Sequence, residues 1–187
     1  MTNILFVLIA VVAVLALVAI SSYNQLINLK VKVKEGESDI DVQLKRRYDL
    51  IPNLIEVVKG ASKFESETLE KVVQARNAAI STTGLGEDKS AAEAQLTSSL
   101  RQVFALAESY PDLKANANYT QLQSELANTE DRILSSRRFY NQVVSDYNAS
   151  QDMFPTLILK GLAGASHAAF FELENPTEER KNVQVKF

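Results

Sequence analysis

The 187-residue chain contains no cysteine, which excludes disulfides, thiolate metal sites and cysteine nucleophiles. A single histidine, His167, also removes the commonest catalytic base and the usual imidazole clusters for metals. Tryptophan is absent, and glycine occurs six times and proline four times. With so few breakers, the abundant Ala, Leu, Val, Glu, Gln and Lys make a helical vocabulary. Charge of one sign is lacking too. The net charge of −3 makes no electrostatic case for a nucleic-acid partner.

What charge there is lies unevenly. Residues 1–29 carry none, and Ile4 to Ile20 is an unbroken run of 17 apolar residues. As a helix that run measures about 25 Å, against a hydrocarbon core of about 30 Å. With Thr2, Asn3, Ser21, Ser22 and Tyr23 at its ends it reaches across. A cleaved leader competes, because Ala19-Ile20-Ser21 has small-x-small form. No Lys or Arg precedes the run, however, and it exceeds the roughly 7–15 apolar residues of a leader. The expected organisation is a transmembrane anchor over residues 1–22, a helical bundle over 23–170 and a polar tail over 171–187.

Lys30, Lys32, Lys34, Lys45, Arg46 and Arg47 all follow the span. The positive-inside rule then puts the N-terminus outside and the bundle in the cytoplasm. Lys30, Lys32 and Lys34 fall about 10–17 Å beyond the exit, within reach of anionic headgroups of the membrane lipid. Lys45 to Arg47 lie too far along the helix for that attraction.

Three long helical segments follow. In the first, Leu26, Leu29, Val33, Ile40, Leu44, Tyr48, Ile51, Ile55 and Val58 recur in steps of three and four. This face starts only a few residues after the span, so one continuous helix is expected, ending at residues 81–89 near Gly84 and Gly86. Ser90 to Glu93 has capping-box form and is expected to open the second helix, which Pro111 stops. Asn118 with Gln121 is the expected cap of the third. There, positions 119, 122, 126, 129, 133, 136, 140, 143, 147, 150 and 154 hold a period of 3.5, the spacing of a coiled-coil seam. Residues 156–171 are apolar but rich in Gly and Ala, either folded on the bundle or touching a partner or membrane surface. The tail ends in the alternating Val183, Val185 and Phe187, expected as a short extended piece.

Candidate chemistry is thin. His167 has no acidic neighbour in sequence, and Gly84-Leu85-Gly86 follows no strand and precedes no Gly-Lys-Ser. Asp39, Asp41 and Glu56 lack the Glu-x-x-His pairs by which helical bundles bind metals. Asp41, Lys45 and Asp49 are spaced as a salt-bridged exposed stripe, with pairs contributing about 0.3–0.5 kcal/mol each. Arg46 and Arg47 point elsewhere around the helix. The plainer reading of Lys45, Arg46, Arg47 and Asp49 is a solvated face; the functional one is an interface with a partner subunit. Leu50, Leu54 and Val57 flank the first face, and Phe139, Val144 and Met153 lie off the seam of the third helix. These second stripes are expected either to meet other copies or to be covered by the Gly/Ala-rich segment after Pro155.

Pro52 stands in the middle of an otherwise helical stretch, where proline costs about 3 kcal/mol. The expected reason is a hinge that bends the first helix around shorter partners. It would free the Tyr48 carbonyl, which Arg46 or Arg47 of a neighbouring element is expected to reach.

The segments "YNQLINLK", "SDIDVQLKRRYDLIPNLIEVVKG", "ARNAA", "AESYPDLKAN" and "RRFYNQVVSDYN", followed by Phe154-Pro155 and the terminal Val-x-Val-x-Phe, resemble the bacterial LemA family. The resemblance runs through nearly the whole chain in order. It implies a membrane anchor, a cytoplasmic bundle of long antiparallel helices, and no catalytic residue or cofactor. Similar proteins include magnetosome-associated members, and genes of the family often neighbour a membrane zinc metallopeptidase. The expectation is an all-α, single-pass protein of the bacterial inner membrane that acts as a non-enzymatic, self-assembling scaffold. The alternative is an adaptor for a membrane metallopeptidase or other envelope complex.

Overall fold

The computed structural model describes residues 2–60 and 65–171. Among them the chain is helical, with no strand. α1 (Thr2–Lys59) is 58 residues long, about 87 Å at the rise of an α-helix. It joins the apolar run to the amphipathic stretch without interruption. α2 (Ser66–Ser81), α3 (Glu87–Ala107), α4 (Pro111–Lys114), α5 (Ala117–Asp152) and α6 (Thr156–Leu159) complete the order.

The helix ends correct several expectations. The first segment is two helices: α1 ends at Lys59, the Gly60 N–H making its last helical bond to Glu56 O at 3.2 Å, and α2 starts at Ser66. Ser90 lies inside α3 rather than at its start: the helix begins at Glu87 with Gly86 as N-cap. Glu87 and Asp88 then meet the positive end of the helix dipole. Pro111 does not stop α3, which has ended four residues earlier. It opens α4 at the one position where its missing N–H costs nothing. The cap of α5 is Asn116, not Asn118. Its Oδ1 accepts from the N–H groups of Asn118 at 2.9 Å and Tyr119 at 3.3 Å, satisfying donors that a helix start leaves orphaned. The terminal Val183, Val185 and Phe187 lie outside the described residues.

The chain divides into two compact units that share α1 and α5. Unit 1 holds residues 1–41 and 135–170. Here α5 runs antiparallel to α1. A Cβ at Gly36 would stand 3.3 Å from Tyr140 Cα, and nearer the N-terminus Leu26 packs with Tyr147 and Ala163. Glycine at 36 is what allows that approach. The Gly/Ala-rich segment after α6 folds back as a strap. Lys30 Nζ donates to Ala163 O at 3.3 Å and Gly164 O at 3.0 Å, and Gly164 turns with φ +53°. Asn148 brackets Ala168, its Nδ2 donating to the carbonyl and its Oδ1 accepting from the N–H, both at 2.9 Å. Tyr140 Oη donates to Ala169 O at 2.9 Å. Burial, helped by Glu37, raises the Tyr140 hydroxyl above its ordinary value of 10.0, so it stays a donor.

Unit 2 holds residues 42–134 and Phe171. α2 packs against α3. Its core takes Leu44, Ile51, Leu54 and Val58 from α1, Leu69, Val72 and Ala79 from α2, and Leu96, Leu100 and Val103 from α3. α5 contributes Leu126 and Ile133. Along α5 the seam positions 126, 129, 133, 140, 143 and 147 are buried. Phe154, counted as its last member, is past the helix and 79% exposed.

Candidate functional site

The apolar faces of α1 and α3 are interrupted by charge. Arg47 sits between Leu44 and Ile51, at steps of three and four, with Tyr48 beside it. In α3, Lys89 and Glu93 lead into Leu96 and Leu100 at steps of four, three and four. These residues therefore occupy the faces that build the core of unit 2. Arg47 is 4% exposed, Lys89 6% and Glu93 4%.

Buried charge is tolerated only when paired and hydrogen-bonded, and here it is. The Tyr48 hydroxyl donates to Glu93 Oε1 and accepts from Lys89 Nζ at 3.0 Å. Lys89 Nζ also donates to Ala79 O at 2.7 Å and Thr82 O at 3.1 Å. Its three donors are thus all engaged. Arg47 Nη2 donates to Thr97 Oγ1 at 2.7 Å, and Nη1 lies 3.0 Å from Glu130 Oε2 and 3.6 Å from Glu93 Oε2. Two cations balance two anions. Glu93 Oε2 accepts no hydrogen bond and faces the Arg47 charge, while Lys89 Nζ lies 3.7 Å from Oε1. The network clamps α1 to α3, to the end of α2 and, through half-exposed Glu130, to α5. Each charged member of the network faces an opposite charge within it, and together they tie these helices in one register.

A cavity of about 210 Å³ opens beside this clamp, lined by Arg47, Thr97, Leu100, Phe104, Leu126 and Glu130 among others. A second polar join lies one turn along α1. Arg76 Nε, from α2, donates to Tyr48 O at 2.8 Å. That carbonyl is the one whose helical partner would be the N–H of residue 52, and Pro52 has none.

The structure sorts the candidate residues. Pro52, Lys45, Arg46 and Asp49 are exposed. Arg47 is not on a solvated or intersubunit face but inside its own chain. The Tyr48 carbonyl is indeed met by an arginine, but by Arg76. Neither Arg46 nor Arg47 fills that role, because Arg47 is spent on Glu130, Glu93 and Thr97. Leu54, read as part of a second stripe, is fully buried. So is Val144, at 0% exposed, and it offers nothing to a second copy. Phe139 and Met153 remain at the surface, 47% and 63% exposed. Lys32 and Lys34 are exposed, whereas the Lys30 ammonium is taken up by the strap. His167 has an acidic neighbour in space, with Nε2 3.3 Å from Asp152 Oδ2. Among the described residues no group of three His, Cys, Asp or Glu side chains could hold a metal ion.

Sequence reasoning missed Lys89, Glu93, Thr97, Glu130 and Arg76. A signal existed for two of them: extending the α3 pattern back from Leu96 lands on Glu93 and then Lys89, charged residues on an apolar stripe. Arg76 had none, since the spacing within α2 does not reveal what α1 lacks.

Comparison with known proteins gives the chain's family and several relatives. A model of the LemA family matches residues 36–187. Protein LemA of Metamycoplasma hominis is 29% identical over 129 residues, which cover 67% of this chain and 58% of that protein. Magnetosome protein MamQ 2 of Paramagnetospirillum magneticum is 23% identical over 88% of this chain and 70% of its own length. Magnetosome protein MamQ of Magnetospirillum gryphiswaldense is 22% identical over 86% and 70%. The family match starts beyond the apolar run. Among the described residues, that run lies in the one helix long and apolar enough to cross a membrane by length and composition.

Proposed function

The chain belongs to the LemA family, and from that premise we propose a membrane-anchored scaffold whose helical bundle lies on the cytoplasmic side of the inner membrane and self-assembles there without catalysis. The observation that carries the reading is the continuity of α1. The apolar run and the core residues Leu26 and Ile40 of unit 1 belong to one uninterrupted helix, so no loop separates the span from the core that follows it. The basic residues after the span support the orientation. The mutual pairing of Arg47, Tyr48, Lys89 and Glu93 supports a structural role for the buried charges. Exposed Phe139 and Val31, 47% and 59%, are surfaces that copies could share once the membrane confines them to one plane.

A second reading is an adaptor for a membrane metallopeptidase or another envelope complex. The cavity beside Arg47, with exposed Arg101 on its lining, favours it as a place for a partner's side chain. Mass measurement of the full-length protein, extracted in several mild detergents, decides between them. The scaffold reading expects assemblies larger than a monomer. A monomer under every condition, with a second protein co-purifying in fixed ratio, overturns it in favour of the adaptor.

A further inference from the structure

Directly after α5 the chain exposes a dense group of large apolar side chains. Met153 is 63% exposed, Phe154 79%, Leu157 47%, Ile158 72% and Leu162 79%. Five such residues in ten positions mark a surface that meets something other than water.

Its place within unit 1 says what that is. The pairings of Gly36 with Tyr140 and of Leu26 with Tyr147 show α5 descending along α1 toward its N-terminus. Five residues past Tyr147, at Asp152, the descent reaches about residues 20–22 of α1, where the apolar run ends. The chain then turns through α6 and climbs back to Lys30, which grips Ala163 O and Gly164 O. Residues 153–162 are thus the turn-around, held level with the exit of the span. Lys160 and Lys32 stand in the same region as cations. Asp152 is neutralised by Lys160 at 3.8 Å and faces His167.

We propose that residues 153–162 are a second, peripheral membrane contact. Phe154, Ile158 and Leu162 enter the interfacial layer of the bilayer that α1 spans, to the roughly 5–10 Å depth of monotopic segments. Exposed Lys32 meets anionic headgroups, while Lys160 offsets Asp152 within the contact. One helix alone leaves tilt and rotation free, whereas two points of contact fix them. The inference rests on the reading of residues 4–20 as a span.

The absence of tryptophan from the chain makes each single substitution a unique fluorescent reporter. Full-length protein carrying Phe154→Trp, Phe139→Trp or Val12→Trp is reconstituted in vesicles of mixed zwitterionic and anionic phospholipid. The acyl chains are brominated either near the headgroup or near the methyl end. Phe139 is the control, half-exposed but beside Gly36 and far from the exit. The expected result is a blue-shifted Phe154→Trp emission, quenched several-fold more strongly by shallow bromines than that of Phe139→Trp. Val12→Trp is quenched by the deep bromines. Equal, weak quenching at 154 and 139 with Val12→Trp still quenched overturns the contact and leaves the span standing. Blue-shifted emission at 154 that bromine does not quench overturns it in favour of a protein neighbour such as a second copy. An unquenched Val12→Trp overturns the span, and the contact with it.

Discussion

Units 1 and 2 draw on the same two helices, yet different chemistry holds each. Unit 2 joins α1 to its neighbours through a buried network of opposite charges, with Tyr48 between Lys89 and Glu93. Unit 1 is joined differently around Leu26 and Tyr147. It relies on a glycine that lets two backbones approach, and on Lys30, Tyr140 and Asn148 capturing the carbonyls of a strap. Apolar stripes alone tolerate a slip of one turn, because leucine meets leucine again after three or four residues. Buried charges do not, since a slipped pair leaves an uncompensated ion. The lesson is that unit 2 fixes the register of α1 electrostatically, while unit 1 fixes it by shape.

The sharpest way to break this contrast is to remove the shared anion. Glu93→Gln leaves Lys89 and Arg47 buried with less countercharge, and breaking such a pair costs about 3–5 kcal/mol. Glu130 still holds Arg47 at 3.0 Å, so the lower end, about 3 kcal/mol, is expected. Chemical unfolding of the detergent-solubilised full chain measures it. Glu67→Gln is the companion: its carboxylate is held below its ordinary value of 4.5 by a hydrogen bond from Lys71, but on the open surface. It should leave the unfolding midpoint where it was. Equal effects from the two would erase the distinction between buried and exposed pairs.

Shape is tested at Gly36. A methyl there would stand 3.3 Å from Tyr140 Cα and 3.4 Å from its ring. Gly36→Ala sets a helix-propensity gain of about 1 kcal/mol against that crowding, and near-neutrality is expected. Gly36→Leu has no room and should cost about 1–3 kcal/mol. Differential scanning of the two variants checks the order. A Gly36→Leu protein as stable as the parent would show that α1 and α5 do not rely on close approach.

How far the sequence revealed this differs between the units. Helix content, the unbroken α1 and much of the buried face of α5 were legible because periodicity records which face is buried. The break at Gly60 was not, since an apolar pattern continues on both sides of it. Arg47 was misplaced because charge argues for the surface, and only the i, i+3, i+7 position between Leu44 and Ile51 argued otherwise. Val144 was misplaced for the opposite reason: a strict 3.5 period leaves it off the seam, but in unit 1 the buried face is wider than one stripe. The strap was legible only as a choice between alternatives, because captured carbonyls leave no trace in composition.

The smallest effect bears on Pro52, where a backbone defect in one helix meets a side chain from another. Pro52 offers Tyr48 O no N–H, and Arg76 Nε supplies a donor at 2.8 Å. Arg76→Ala should therefore cost about 1 kcal/mol, the net worth of one hydrogen bond at a half-buried carbonyl. In a Pro52→Ala background the restored N–H can serve Tyr48 O in the ordinary helical way, and the same arginine substitution should cost almost nothing. The four proteins make a double-mutant cycle with an expected coupling of about 1 kcal/mol. Additive effects would mean that Arg76 contributes through packing along the groove it shares with Pro52, Ile55 and Val73 rather than by replacing the missing donor. A coupling of the expected sign would make the proline a site where α1 is joined to α2 by its own lost hydrogen bond, which explains why its cost is tolerated in mid-helix.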